Sequence, residues 1–383
     1  MSVTAPAGFR AAGIVAGLKS AGGRDLALVV NDGPDRHAAA VFTSNRVEAA
    51  PVTWSRRVVG DGRVDAVVLN SGGANACTGP EGFADTHRTA EGVADVLGCS
   101  AGDVLVCSTG LIGQRLPMPV LLAGLGPLSA ALSRDGGTDA AHAIMTTDTL
   151  PKQARWDGPG WSVGGMAKGA GMLAPGLATM LVVITTDART DAATLAEALR
   201  SACAVTFDRI DSDGCMSTND TVVALASGAC GVPVPAEALS QGLTMLCADL
   251  ARQLLTDAEG ASHDIEIVVS RAASVADACE VGRAVARSAL FKCAVYGNDP
   301  NWGRVLAAVG TTGAAFDPAR LDVTMNGVAV CRNSGIGRDR GLVDLTARHV
   351  RVEIGLNAGQ HTATIWTNDL TTDYVHENSA YST

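Results

Sequence analysis

Thr179-Met-Leu-Val-Val-Ile-Thr185 is the clearest strand in the sequence. It is rich in branched apolar residues, and a loop holding Gly169, Gly171, Pro175 and Gly176 precedes it. An apolar run of this kind bounded by Gly and Pro reads as a buried strand. Working outward, Asp65-Ala-Val-Val-Leu69 and Asp103-Val-Leu-Val-Cys-Ser108 read the same way. The first ends in the Gly-rich turn Asn70-Ser-Gly-Gly-Ala-Asn75, and the second runs directly into Thr109-Gly110. Apolar spacing predicts helices from about Gly82 to Leu97, Pro117 to Leu132, Ala192 to Ala204 and Ala236 to Ala258. In the last third, Asn326-Gly327 is the turn of a tight hairpin joining Leu321–Met325 to Val328–Val330. Val350–Leu356 and His361–Trp366, flanking Asn357–Gln360, read as a second hairpin. These elements do not alternate as regular βαβ units. The expected fold is therefore layered α/β with a mostly antiparallel sheet, not a doubly wound parallel one.

Composition narrows the function. The chain has 383 residues, 47% hydrophobic and 18% charged, which excludes a disordered chain or a coiled coil. Aromatics are only 4%, so the core is aliphatic. No apolar run approaches the roughly 20 residues of a membrane span, and Met1 to Phe9 lacks the basic head and apolar stretch of a signal peptide. The net charge of −10 argues against nucleic acid and anionic membrane as partners. Of 29 basic residues only Lys19, Lys152, Lys168 and Lys292 are lysines, so each is worth locating. The 10 cysteines form no C-x-x-C pair, and most lie in apolar segments. They are expected to be free, buried thiols in a reducing cytoplasm. The 7 histidines show no metal spacing, and no metal is expected.

Several motifs fail on inspection. Gly169-Ala-Gly-Met-Leu-Ala174 fits a dinucleotide pattern, but that mechanism needs a helix after the glycines, and here Pro175 and a strand follow. Asp211–Asp220 is acidic, yet Cys215 and Val222 stand at calcium-ligand positions. Its default reading is a solvated turn, with a site wall as the alternative. A Gly-x-Ser-x-Gly elbow does not occur. Thr179 itself, opening a strand after a Gly/Pro loop, is structurally ordinary.

Resemblance changes that reading. Lys168–Leu181 is similar to the self-cleavage segment of the ornithine acetyltransferase family, also called glutamate N-acetyltransferase. Asn70–Gly79, Cys107–Gly113, Ala143–Asp148, Asp257–Gly260, Asn298–Val305 and Glu377–Thr383 resemble further family blocks, in order.

The resemblance implies an α-β-β-α-type sandwich and self-cleavage between Ala178 and Thr179. It gives an α chain, 1–178, and a β chain, 179–383, sharing one packed core and assembling as α2β2. The new α-amine of Thr179, with a pKa near 7.7 to 8.0, then serves as base for its own hydroxyl. Thr109 and Gly110 are the implied oxyanion hole. Thr146, Lys168, Thr179, Glu259, Asn378 and Thr383 are the implied substrate-binding residues. The implied reaction is ping-pong transfer of acetyl from N-acetylornithine to glutamate, in arginine biosynthesis. It uses no metal or organic cofactor, and acetyl-CoA is a further donor in some members. The alternatives are an amidohydrolase or aminopeptidase of the same self-cleaving fold, with water as acceptor, and a non-enzymic binding protein.

Overall fold

The computed structural model describes residues 3–20, 22–174 and 180–380. Three sheets organise the chain. The first contains β1 (Phe9–Ile14), β2 (Leu26–Asn31), β4 (Ala66–Asn70) and β5 (Val104–Ser108), in the order β1-β2-β4-β5. The second contains β3 (His37–Phe42), β6 (Lys152–Gly158), β7 (Trp161–Lys168), β8 (Leu181–Thr186) and β9 (Thr221–Ala226), in the order β3-β9-β8-β7-β6. Each of these sheets has a single parallel pair, β4–β5 and β8–β9; the rest are antiparallel.

Side-chain alternation along the strands separates the layers. Leu181 and Val183 of β8 share one core with Met166, Val223, Ala27, Val29, Val67 and Leu105, so the two sheets pack face to face. Val182 and Ile184 point the other way, onto α5 (Ala192–Val205) and α6 (Ala236–Thr256) through Leu195, Leu199, Leu243, Leu246 and Leu250. The outer face of the first sheet presents Leu28, Val68 and Val106 to Val93 of α2 (Gly79–Leu97) and to Leu121 and Leu125 of α3 (Met118–Ala130). α1 (Ala50–Val58) packs at the edge of that layer, its Ser55 Oγ donating to Val106 O at 2.8 Å. The result is the expected α-β-β-α sandwich. All six β8 residues are buried. Each large aliphatic side chain so buried contributes about 1.5–3 kcal/mol before entropy is counted.

A third sheet fills the last third of the chain: β10 (Asp264–Ala272), β11 (Asp322–Met325), β12 (Val328–Arg332), β13 (Gly335–Ile336), β14 (His349–Gly355) and β15 (His361–Asn368). It shares a core with α7 (Val275–Ala286), α8 (Ala289–Tyr296) and α9 (Trp302–Val309). β11 and β12 form the expected hairpin about Asn326-Gly327. The second expected hairpin is not one. β10 lies between β14 and β15, with Ile267 opposite Val352 on its parallel side and Ile365 on its antiparallel side. The Asn357–Gln360 loop crosses over β10 because pairing both neighbours with that buried strand satisfies more backbone groups than pairing them with each other.

Smaller differences have local causes. α2 begins at Gly79, before the expected Gly82, because Pro80 suits the first helical turn. α6 stops at Thr256 rather than Ala258. The cysteines are free, but Cys77, Cys215 and Cys293 are exposed, and only Cys107, Cys203, Cys247 and Cys331 are buried. The exposed ones sit on loops or on the outer side of α8, where nothing packs over the thiol.

Candidate active site

One end of the sandwich carries a cleft lined by Thr109, Gly110, Thr146, Lys168, Glu259 and Asn378, together with Ser217, Thr218 and Asn219. Six implied site residues, scattered over 270 positions of sequence, thus meet in one place. Ala178, Thr179 and Thr383 lie outside the described residues.

The Thr109-Gly110 turn follows β5 and packs against the Gly-rich turn that follows β4. Thr109 N–H donates to Asn70 O, and Gly73 N–H donates to Thr109 O, both at 3.0 Å. Asn70 is pinned in turn: its Nδ2 donates to Gly73 O at 3.0 Å and its Oδ1 accepts from Ser108 Oγ at 2.6 Å. Gly110 has φ +128°, and a Cβ there would sit 2.8 Å from Gly73 N. Both the dihedral and the contact demand glycine. Among the described residues the Gly110 N–H donates to nothing, so it is available to a ligand.

Lys168 is the last residue of β7. A lysine at a strand end reads as a surface charge, yet it is buried at 2% exposure. Its Nζ lies 3.4 Å from Thr109 Oγ1. Burial pulls the ammonium below its ordinary pKa; Asp148 opposes this most, Lys152 adds to it, and Asp220 and Glu259 offset it. Thr146 follows α4 (Gly137–Ala143), and its N–H donates to Asp148 Oδ2 at 3.0 Å. Asp148 and Lys152 form a buried ion pair at 2.6 Å. Sequence reasoning named neither as a site residue. The available signals were the scarcity of lysine and the place of Asp148 at the end of the Ala143–Asp148 block.

Glu259 lies just beyond α6. Its N–H donates to Ala170 O at 3.0 Å, which fastens it to the loop after β7. A Cβ on Gly171 would stand 2.7 Å from its carboxylate, so glycine lets the two approach. Asn378, on α10 (Thr372–Ala380), donates from Nδ2 to Glu259 Oε2 at 3.0 Å. The C-terminal helix is thereby latched onto the cleft.

The Asp211–Asp220 loop is a site wall, not the solvated turn of its default reading. Asp211 and Asp220 are fully buried. Asn219 Nδ2 bridges Ala74 O and Ser108 O at 2.6 and 2.9 Å, tying this loop to both Gly-rich turns. Asp220 Oδ1 accepts from Met180 N–H at 3.0 Å. Complete burial pushes the Asp220 carboxyl well above its ordinary pKa, although the Met180 N–H and Lys168 oppose this. Met180 O also accepts from Thr221 N–H at 3.1 Å, so the backbone of Met180 is held through both its N–H and its carbonyl.

A buried cation, a free backbone N–H beside a threonine hydroxyl, and a carboxylate–amide pair can bind a zwitterionic acyl amino acid and stabilise an oxyanion. The described residues contain no cluster of three or more metal-ligating side chains. Comparison with known proteins identifies relatives over the whole chain. Arginine biosynthesis bifunctional protein ArgJ of Streptomyces coelicolor is 63% identical over 382 residues, covering 100% of both chains. Its counterpart from Thermobifida fusca is 62% identical over 383 residues, again covering 100% of both. A crystal structure of ornithine acetyltransferase complexed with ornithine, from Mycobacterium tuberculosis, is 57% identical, covering 47% of this chain and 96% of that one with a TM-score of 0.44. The ArgJ family model matches residues 10–383. With residues from six of its seven motif blocks lining one cleft (Asn298–Val305 is the exception) and full-length relatives of this identity, the chain belongs to the ArgJ family.

Proposed function

We propose that this acetyltransferase of arginine biosynthesis moves acetyl from N2-acetyl-L-ornithine to L-glutamate in two half-reactions, through an acetyl ester on Thr179. The observation that carries the reading is the convergence of Thr109, Gly110, Thr146, Lys168, Glu259 and Asn378 on one cleft. In the proposed maturation, the Thr179 hydroxyl attacks the Ala178 carbonyl, the C–N bond breaks, and water opens the resulting ester. The freed α-amine accepts the hydroxyl proton as Thr179 attacks N-acetylornithine. Thr109 Oγ1 and Gly110 N–H stabilise the oxyanion. The α-amine returns its proton to the departing ornithine, and glutamate then takes the acetyl group by the reverse steps. Lys168 receives the substrate α-carboxylate as a point charge, Thr146 lines the same pocket, and Glu259 with Asn378 pairs with the ornithine ammonium. Thr383 completes the set. No cofactor is required, because the acyl group rides on the threonine; acetyl-CoA serves as a second donor, making the enzyme bifunctional. The mature form is α2β2, with chains 1–178 and 179–383. It works in the cytoplasm, where free thiols persist.

The test is the mass of the denatured protein beside a Thr179→Ala control, followed by transfer of labelled acetyl. Two fragments, one beginning Thr-Met-Leu, with an intact control and labelled N-acetylglutamate, are expected. Release of acetate with no transfer to glutamate would make the enzyme a hydrolase. An intact chain that still transfers acetyl would refute the terminal-amine mechanism.

A further inference from the structure

The carboxylate of Asp148 joins segments that carry three polar residues of the cleft. Its Oδ2 accepts Thr146 N–H at 3.0 Å. Its Oδ1 accepts Gly169 N–H and Lys152 Nζ, each at 2.6 Å, and Gly169 directly follows Lys168. Lys152 also donates to Asp257, two residues before Glu259, and Asp257 accepts Thr149 N–H at 3.0 Å. The cluster is dry: the side chains of Asp148 and Lys152 are 0% and 2% exposed. Lys168 lies beside it, yet among the described residues no carboxylate comes within ion-pair distance of its ammonium.

We propose that Asp148 is a positioning residue for acetyl transfer: it fixes Thr146 and the backbone after Lys168, and its charge keeps Lys168 protonated while leaving that ammonium free for a substrate carboxylate. The proposal rests on the reading that Lys168 binds that carboxylate. A direct Asp–Lys pair at this depth would satisfy the lysine permanently and compete with substrate. Engaging Asp148 with Lys152 and two backbone N–H groups avoids this, and its field still acts on Lys168 across a poorly screened interior. The charged groups facing Lys168 are Asp148 from the loop before β6, Lys152 on β6, Asp220 before β9, Glu259 after α6 and Lys19 between β1 and β2. Burial disfavours the Asp148 charge, but Lys168, Lys152 and the Gly169 N–H together hold its carboxyl below the ordinary range. Asp148 is therefore an anion at neutral pH, and the strongest charge opposing the loss of the Lys168 proton.

The test is the pH dependence of KM for N-acetylornithine, with kcat from the same runs, on the full matured enzyme. In D148N the rise of KM on the alkaline side should begin at lower pH than in the parent. Above its inflection KM should grow by about tenfold per pH unit, with a smaller change in kcat. K152M removes a like charge and should move the inflection to higher pH. K168R holds its proton throughout and should flatten the curve. General loosening of the cleft would move D148N and K152M in the same direction, and that result, or no movement in either, overturns the proposal. If D148N does not fold, K152M decides: an upward shift supports the assignment, and an unmoved inflection refutes it. K168A separates the two levels of the argument. An unchanged KM in K168A overturns the carboxylate reading itself, whereas a raised KM beside an unmoved D148N inflection overturns only the role of Asp148.

Discussion

Gly110→Ala tests the proposed oxyanion turn at a point where both the dihedral and the neighbouring backbone demand glycine. Gly110 has φ +128°, and an added Cβ would lie 2.8 Å from Gly73 N and 2.9 Å from Gly73 Cα. Those atoms are backbone and cannot swing aside as a side chain would. Gly73 is also held through its own N–H to Thr109 O and through its carbonyl to Asn70. Alanine must therefore either turn the 109–110 peptide or push the Gly72–Ala74 turn outward. The dihedral alone costs about 1–3 kcal/mol.

In the proposed mechanism, turning the peptide carries the Gly110 N–H away from the developing oxyanion. Losing one such donor costs about 3–4 kcal/mol in the transition state, or roughly 100- to 1,000-fold in kcat. The assay is steady-state transfer of acetyl from N-acetylornithine to glutamate, after the denatured mass confirms that the variant has been cleaved and a thermal melt that it is folded. KM should change little, because the donor acts on charge that appears only in the transition state. A cleaved, folded G110A enzyme with kcat within about threefold of the parent, far less than the loss of a donor demands, would refute the reasoning.

Gly171→Ala should leave the fold intact but raise KM for N-acetylornithine, because its Cβ would meet the Glu259 carboxylate at 2.7 Å and displace that flexible tip; an unchanged KM in steady-state kinetics would separate Glu259 from the substrate. Asp220→Ala should destabilise the chain by about 1–3 kcal/mol in urea unfolding by leaving the buried Met180 N–H unpaired, while Asp220→Asn, still an acceptor, should cost clearly less. Because burial raises the folded pKa of Asp220, its contribution to stability is complete below the ordinary value of 3.8 and is lost as pH rises through the raised value. D220N should therefore gain on the parent in melting temperature as pH rises above the ordinary carboxyl range. A C-terminal tag should lower activity more than an N-terminal one, since α10 latches to Glu259 through Asn378 at 3.0 Å; equal activities would count against the latch.

What the sequence disclosed followed the range of each signal. β4, β5 and β8 are continuous apolar runs, and the stripe Leu239, Leu243, Leu246, Leu250, Leu254 announces α6 as a core helix; both signals are local. β10 alternates buried and half-buried residues instead, and nothing local says that it will separate β14 from β15, because that pairing spans some 85 positions. The site divides in the same way. Lys168, read locally, is an edge charge, and its burial arises only when the turns after β4 and β5, the Asp211–Asp220 wall and α10 close around it. Thr109-Gly110, read locally, is an ordinary strand-end turn, and only the likeness of several motif blocks to a family singled it out. Lys152 stood out as one of four lysines and Asp148 as the end of a motif block, but their pairing was not legible because a buried ion pair four residues apart looks, in sequence, like two solvated charges.

The second sheet links maturation to the binding site. Strands from before and after residue 178 are interleaved in it: β3 pairs with β9, and β7 pairs with β8. A cut between Ala178 and Thr179 would remove a covalent tether, yet each half would still supply ladder partners and core side chains to the other. The β7–β8 ladder ends with Lys168 opposite Leu181, and Leu181 is opposite Thr221 on its other side. The cation of the cleft, the first residue of β8 and the residue after Asp220 therefore stand in one row. A slip of β7 by one residue would turn Lys168 to the opposite face, and a slip of β8 by one would carry Leu181 out of the inter-sheet core. The packing of Leu181 and Val183 against Met166 and Leu225 opposes such a slip. The aliphatic core between the sheets thus does two things at once: it would hold the two halves together after the proposed cut, and it keeps Leu181 aligned with Lys168.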